Sequence, residues 1–122
     1  MAKRNVWTKL IDKGTAATTV IQKTDRMQNL MLVVQSTGDA VDSAFTMTVY
    51  DSQDASGTVK TALGINPALS ATRDSDGAIA FNEVSTVLAY EIPGLHPYIY
   101  ITITGVTDDI VITLWIGGTE DY

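Results

Sequence analysis

Acid–base chemistry near neutral pH needs histidine or carboxylates in matched environments, and this 122-residue chain offers one histidine, His96, and two adjacent acidic pairs, Asp108–Asp109 and Glu120–Asp121. His96 stands between Leu95 and Pro97 in "IPGLHPY", the turn entering a strand, and no nucleophile motif such as G-x-S-x-G accompanies it. It reads as a lone surface histidine. The acidic pairs read as solvated turn and tail charges. Gly117–Gly118 matches no phosphate-binding loop, because no helix follows to offer its N-terminus, and reads as the exit from a strand. With no cysteine, the chain has neither disulfides nor thiolate chemistry. No convergent polar constellation is present, so the expectation is a protein that is not an enzyme and carries no cofactor.

One stretch has metal-ligand spacing. "TRDSDGAIAFNE", Thr72 to Glu83, matches a calcium loop at its third, fifth, sixth, eighth and twelfth positions through Asp74, Asp76, Gly77, Ile79 and Glu83. Thr72 supplies a neutral hydroxyl where such a loop begins with an aspartate. Gly64 and Pro67 stand where the entering helix would run. The competing reading is a turn, "RDSDG", leading into a strand, and that reading leaves no metal bound.

The elements that would position any site read as short strands. In Tyr98 to Thr104, Ile99, Ile101 and Ile103 share one face and Tyr98, Tyr100, Thr102 and Thr104 the other. In Ile110 to Ile116, Ile110, Ile112, Leu114 and Ile116 alternate with Val111, Thr113 and Trp115. This parity predicts a hairpin closed through Gly105 to Asp108, pairing Ile103 with Ile110, Ile101 with Ile112, Ile99 with Leu114 and Tyr98 with Trp115. Further strands are expected at Val6–Ile11, Thr18–Gln22, Asn29–Gln35, Ala44–Tyr50 and Val84–Ile92. Asp51 to Asn82 is long for a passive loop and accommodates short strands at Val59–Ala62 and Ala78–Phe81. No amphipathic helix of three turns is evident. The expected fold is all-β, an antiparallel sandwich or jelly roll forming one domain over residues 1–122, with residues 1–15 as an N-terminal arm. Its core is expected around Leu32, Val34, Phe45, Met47, Val49, Ile99, Ile101, Ile103, Ile112 and Leu114.

Charge is divided along the chain. Residues 1–30 hold six basic and two acidic groups, or +4, while the remainder holds two basic and twelve acidic groups, or −10. The overall −6 argues against nucleic-acid binding. The longest apolar run, Leu30 to Val34, is too short for a bilayer, and "MAKRNVW" lacks the apolar core of a signal peptide, so a soluble protein made in the cytoplasm is expected.

The order of features, short Thr-rich N-terminal strands, then "TVYDSQDASG", "YEIPGLHPYIYITITG" and a closing "IVITLWIGG", resembles small β-sandwich proteins of tailed-bacteriophage virions, especially capsid decoration (cement) proteins. The resemblance covers most of the chain. It implies a structural protein of the virion, often a symmetric homo-oligomer, whose partner is the major capsid protein or another virion protein. A carbohydrate-binding sandwich stacking sugars on Trp115, Tyr98 and Tyr100, and a tail or baseplate adaptor, are the alternatives. Tyr98, Tyr100, Val111 and Trp115 are expected to form a second apolar surface that meets another chain, as tyrosine and tryptophan do at interfaces. The competing explanation is that the 51–82 segment folds over this face. Lys3, Arg4, Lys9 and Lys13 are expected either to dock an acidic surface, on the shell protein or a neighbouring copy, or to line an ordinary solvated first strand.

Overall fold

The alternation of β-branched and aromatic residues with polar ones is realised as strands throughout a computed structural model, which describes residues 2–37, 45–63, 72–73, 79–81, 85–92, 94–106 and 110–121. In chain order these are β1 (Lys3–Gly14), β2 (Thr18–Lys23), β3 (Met27–Thr37), β4 (Phe45–Ser52), β5 (Lys60–Ala62), β6 (Thr72–Arg73), β7 (Ile79–Phe81), β8 (Ser85–Ile92), β9 (Tyr98–Thr104) and β10 (Val111–Asp121). One sheet has the order β1-β10-β3-β8 and the other β2-β9-β4-β7-β6, with β5 also paired to β4. All pairings are antiparallel, and β1 with β10, β2 with β9, β3 with β8 and β4 with β7 form a nested series. A long antiparallel ribbon wound around itself gives this order, the jelly-roll form of the β-sandwich. The short strands expected within the 51–82 segment are β5 and β7, both laid along the same edge of β4.

The predicted 98–116 hairpin is not formed. β9 pairs with β2 and β4, whereas β10 pairs with β1 and β3 in the opposite sheet. Trp115 therefore faces Lys9 and Val33 in register, not Tyr98, and Ile101 faces Val20 and Val49, not Ile112. The parity itself holds. A hairpin in one sheet and an arch between two sheets both turn the isoleucines inward, so periodicity cannot separate them. In the arch each strand buries that face in the core between the two sheets, about 10 Å thick.

The core is the slab between the sheets. All ten residues expected there are buried, joined by Ile11, Met27, Leu30, Tyr90, Ile92, Ile110 and Ile116. Burial pushes the Tyr90 hydroxyl to a higher pKa than an ordinary tyrosine. Residues 3–14 of the expected N-terminal arm are β1, hydrogen-bonded along β10 from Lys3–Asp121 to Gly14–Ile112. Two register breaks interrupt that pairing, after Lys9 and after Ile11. At the second, Lys13 takes a left-handed φ of 55°, and its amide donates to Thr113 Oγ1 at 3.3 Å. The bulge thus redirects an amide to a side chain when the ladder no longer supplies a carbonyl.

Candidate functional site

Because side chains alternate, each sheet presents one face to the core and one outward, and the candidate contact residues lie on the outward faces. On the β1-β10-β3-β8 sheet the outward row runs Lys9, Trp115, Val33 and Ala89, flanked by Trp7, Gly117, Met31 and Glu91. Trp7 lies flat on Gly117: a methyl group there would meet three indole carbons at 2.4 to 2.6 Å. Glycine permits this close approach. Trp7 remains 53% exposed, as does Val87. Together with Val33, Gln35 and Trp115 they line an open groove of about 510 Å³. Lys9 Nζ stands 5.7 Å from the centre of the Trp115 ring, a cation–π distance.

Tyr100 belongs to the opposite outer face. Its ring meets Tyr50 edge-on at 5.7 Å, and Lys60 Nζ lies 5.0 Å from Tyr100 and 5.4 Å from Tyr50. Gly57, with φ 72°, packs against the Tyr100 ring so closely that a Cβ would fall 2.2 Å from it. Lys60 Nζ also donates to the Gly57 carbonyl at 3.1 Å. The β4–β5 connection therefore covers Tyr100, as the competing explanation required. Tyr98 shares the parity of Tyr100, and Val111 that of Trp115, so the four residues do not form one surface but divide between opposite faces of the sandwich. The single surface was inferred from the hairpin and falls with it.

Of the predicted docking cations, Lys3 pairs with Asp121 at 3.3 Å, Arg4 with Glu120 at 3.6 Å and Lys9 with Asp12 at 3.6 Å. The three cations are about half exposed, so each pair contributes little. Lys13 is exposed at the β1 bulge. The first thirty residues thus spend part of their positive charge on the acidic end of β10. Glu120 and Asp121, read as tail charges, belong to that strand, which runs through Gly117–Gly118 instead of ending there.

His96 is not the surface side chain expected from its turn. It is 9% exposed, and its Nδ1 donates to Asp51 Oδ1 at 2.8 Å. Asp51 continues the inward parity of Phe45, Met47 and Val49, so its carboxylate reaches the rim of the core and takes His96 and the Gln53 amide (2.9 Å) as partners. Thr24 completes the corner, donating its hydroxyl to the His96 carbonyl at 2.8 Å and its amide to the Pro97 carbonyl at 3.0 Å. These bonds pin the 94–97 loop, on which Leu95 stands 77% exposed beside Gly94 with φ 88°. The pair fastens β4 to the loop before β9; no nucleophile is bonded to it among the described residues. Nearby, Asp54 Oδ1 accepts from the Thr58 amide (2.9 Å) and the Ser52 hydroxyl (3.3 Å). Desolvation raises the Asp54 pKa, but bonds from the Thr58 and Val59 amides, Ser52 and the Gly57 amide outweigh it and hold the carboxyl below its ordinary value.

The calcium candidates Asp74, Asp76 and Glu83, and the pair Asp108–Asp109, lie outside the described residues. Within the same window β6 and β7 pair antiparallel, Thr72 with Ala80 and Arg73 with Ile79, and the strand β8 runs from Ser85, where a calcium loop continues into a helix. No group of three metal-ligating side chains occurs among the described residues. Sequence reasoning missed Trp7, Val33, Gln35 and Val87. The available signal was outward parity in strands whose other face carried the core.

No family model matches the chain, and no curated protein matches it. Among solved structures, it is similar to the SPBc2 prophage-derived protein YomS, with a TM-score of 0.53 and 16% identity over 97% of this chain and 96% of that one. The likeness runs end to end, and at this identity it is a likeness of fold to a phage-related protein.

Proposed function

We propose that the chain is a non-enzymatic structural protein of a bacteriophage virion that binds and stabilises the capsid as a decoration protein. The observation that carries this reading is the end-to-end similarity of its jelly roll to a prophage-derived protein. One surface feature supports it: Leu95, held out 77% exposed on a loop pinned by Thr24 and by the His96–Asp51 pair, is suited to protein contact. A shell-strengthening protein works through a rigid fold and complementary surfaces. The test is to mix purified chain with empty capsids built from the major capsid protein encoded alongside it, and separately with tails, and sediment each. Co-sedimentation with capsids, with a raised temperature of capsid disruption, is the expected result. Binding to tails alone would instead support the adaptor reading. The exposed Trp7 indole favours a carbohydrate-binding module as second reading, and retention on immobilised polysaccharide without capsid binding would select it.

A further inference from the structure

The two outer faces of the sandwich differ in chemistry. On the β2-β9-β4 side, Thr19, Thr102 and Thr48 stand in one row across three strands, and Thr104 and Thr46 in the next. Such a face is readily solvated, and of its aromatic residues Tyr100 is covered by Gly57 while Lys60 lies over both Tyr100 and Tyr50. On the β1-β10-β3-β8 side the centre is Trp7, Trp115, Val33 and Val87, with Lys9 as the cover over Trp115.

We propose that this apolar face is where two copies of the chain meet, sheet against sheet, about a two-fold axis running along the strands. The inference goes beyond the virion reading and does not depend on it: a dimer that binds no capsid satisfies it. Area is the first argument. Four strands spaced about 4.8 Å, eight to twelve residues long at about 3.3 Å each, present roughly 600 Å² per copy, or about 1,200 Å² in total, the lower end of the range for specific interfaces.

Charge is the second. The face has a basic edge on β1, with Lys9 beside Trp115, and an acidic group on the opposite edge, Glu91 of β8, exposed and in register with Met31. An axis along the strands lays β1 of one copy over β8 of the other. Trp115 then covers Val33 of the second copy, and Lys9 comes within one row of its Glu91, twice by symmetry. An axis across the strands would instead set β1 over β1 and oppose like charges. Lys9 is free to make the exchange, since its present partner Asp12 is a solvated contact.

Sedimentation equilibrium tests this. The chain should sediment at twice its 13.1 kDa mass at micromolar concentration. Lys9→Glu and Glu91→Lys should each weaken association about tenfold or more, and the two together should restore it to within a few-fold of the parent. Both are exposed substitutions, and circular dichroism confirms that each variant is folded. Thr48→Lys on the opposite face should leave the mass unchanged. A chain that stays monomeric at every concentration, single swaps without effect, a double swap that fails to restore association, or an oligomer broken by Thr48→Lys would each overturn the proposal.

Discussion

Replacing Gly117 with alanine tests the most specific contact on the groove, because the added methyl group would fall 2.4 to 2.6 Å from three carbons of the Trp7 ring. Carbon atoms not bonded to each other settle near 3.5 to 4 Å, so the indole must retreat by at least about 1 Å. Trp7 is 53% exposed, which leaves about half of a side chain of roughly 200 Å² in contact, worth about 2.5 kcal/mol if wholly lost. A retreating ring keeps part of that, so the loss is about 1 to 2 kcal/mol. Against it, alanine in a strand is better than glycine by about 0.5 to 1 kcal/mol. Gly117→Ala should therefore lower stability by about 0.5 to 1 kcal/mol. In a Trp7→Ala background the clash is gone and the same substitution should raise stability by about 0.5 to 1 kcal/mol. The sign change is the signature. Urea unfolding of the four proteins at one fixed concentration yields the coupling energy, about 1 to 2 kcal/mol, and the Trp7 emission should shift to the red in Gly117→Ala. Additive effects, with no coupling beyond about 0.3 kcal/mol, would refute the placement of Trp7 on Gly117.

Gly57→Ala meets two obstacles at once, a left-handed φ of 72° and the Tyr100 ring 2.2 Å from the new methyl group, and should destabilise by about 2 kcal/mol or more in chemical unfolding. Tyr100→Ala should relieve the steric part but not the backbone part, so Gly57→Ala in that background should still cost about 1 kcal/mol. Asp54 gives a pH dependence whose sign follows from its direction. A carboxyl held below its ordinary value contributes stability that is present above the ordinary carboxylate pKa and is lost as pH falls through the lowered one. Thermal melts between pH 5 and 3 should thus fall less steeply for Asp54→Asn than for the parent; equal slopes would show that the Thr58, Val59 and Ser52 bonds do not act on this carboxylate.

Residue parity was the legible part of the fold. Every inward position named from alternation in β3, β4, β9 and β10 is buried, because a strand has only two faces and one must be dry. Pairing was not legible, since the same parity serves a hairpin and an arch, and the nested order depends on contacts between strands as distant as β1 and β10. The error propagated to the site: a hairpin would have joined Tyr98 and Tyr100 to Val111 and Trp115, and the arch separates them by the thickness of the sandwich. His96 was misjudged for a related reason. Its turn context suggested exposure, but Asp51 two residues past Val49 lies at an inward position and needs a donor. Parity carried into the charged end of β4 would have predicted that partner.

Large apolar side chains on both faces of β9 and β10 now have two separate causes. A jelly roll needs one dry face per sheet, and the isoleucine rows supply it. On β9 the outward aromatic is claimed by the same chain, for Gly57 has no side chain and so lets Tyr100 pack under the β4–β5 connection, with Lys60 closing over it. On β10 the corresponding glycine, Gly117, does the reverse: it seats Trp7 flat on the sheet and so widens the apolar area around Trp115 instead of hiding it. Among the described residues no strand is laid along the far edge of β1, whereas β4 has β5 and β7 along the edge away from β9. Among those residues the cover over an outward aromatic is the β4–β5 connection, on one sheet. A tryptophan-lined face left bare in water would drive nonspecific association, and in the proposed dimer the Lys9 and Glu91 charges on its two edges would restrict that association to one orientation.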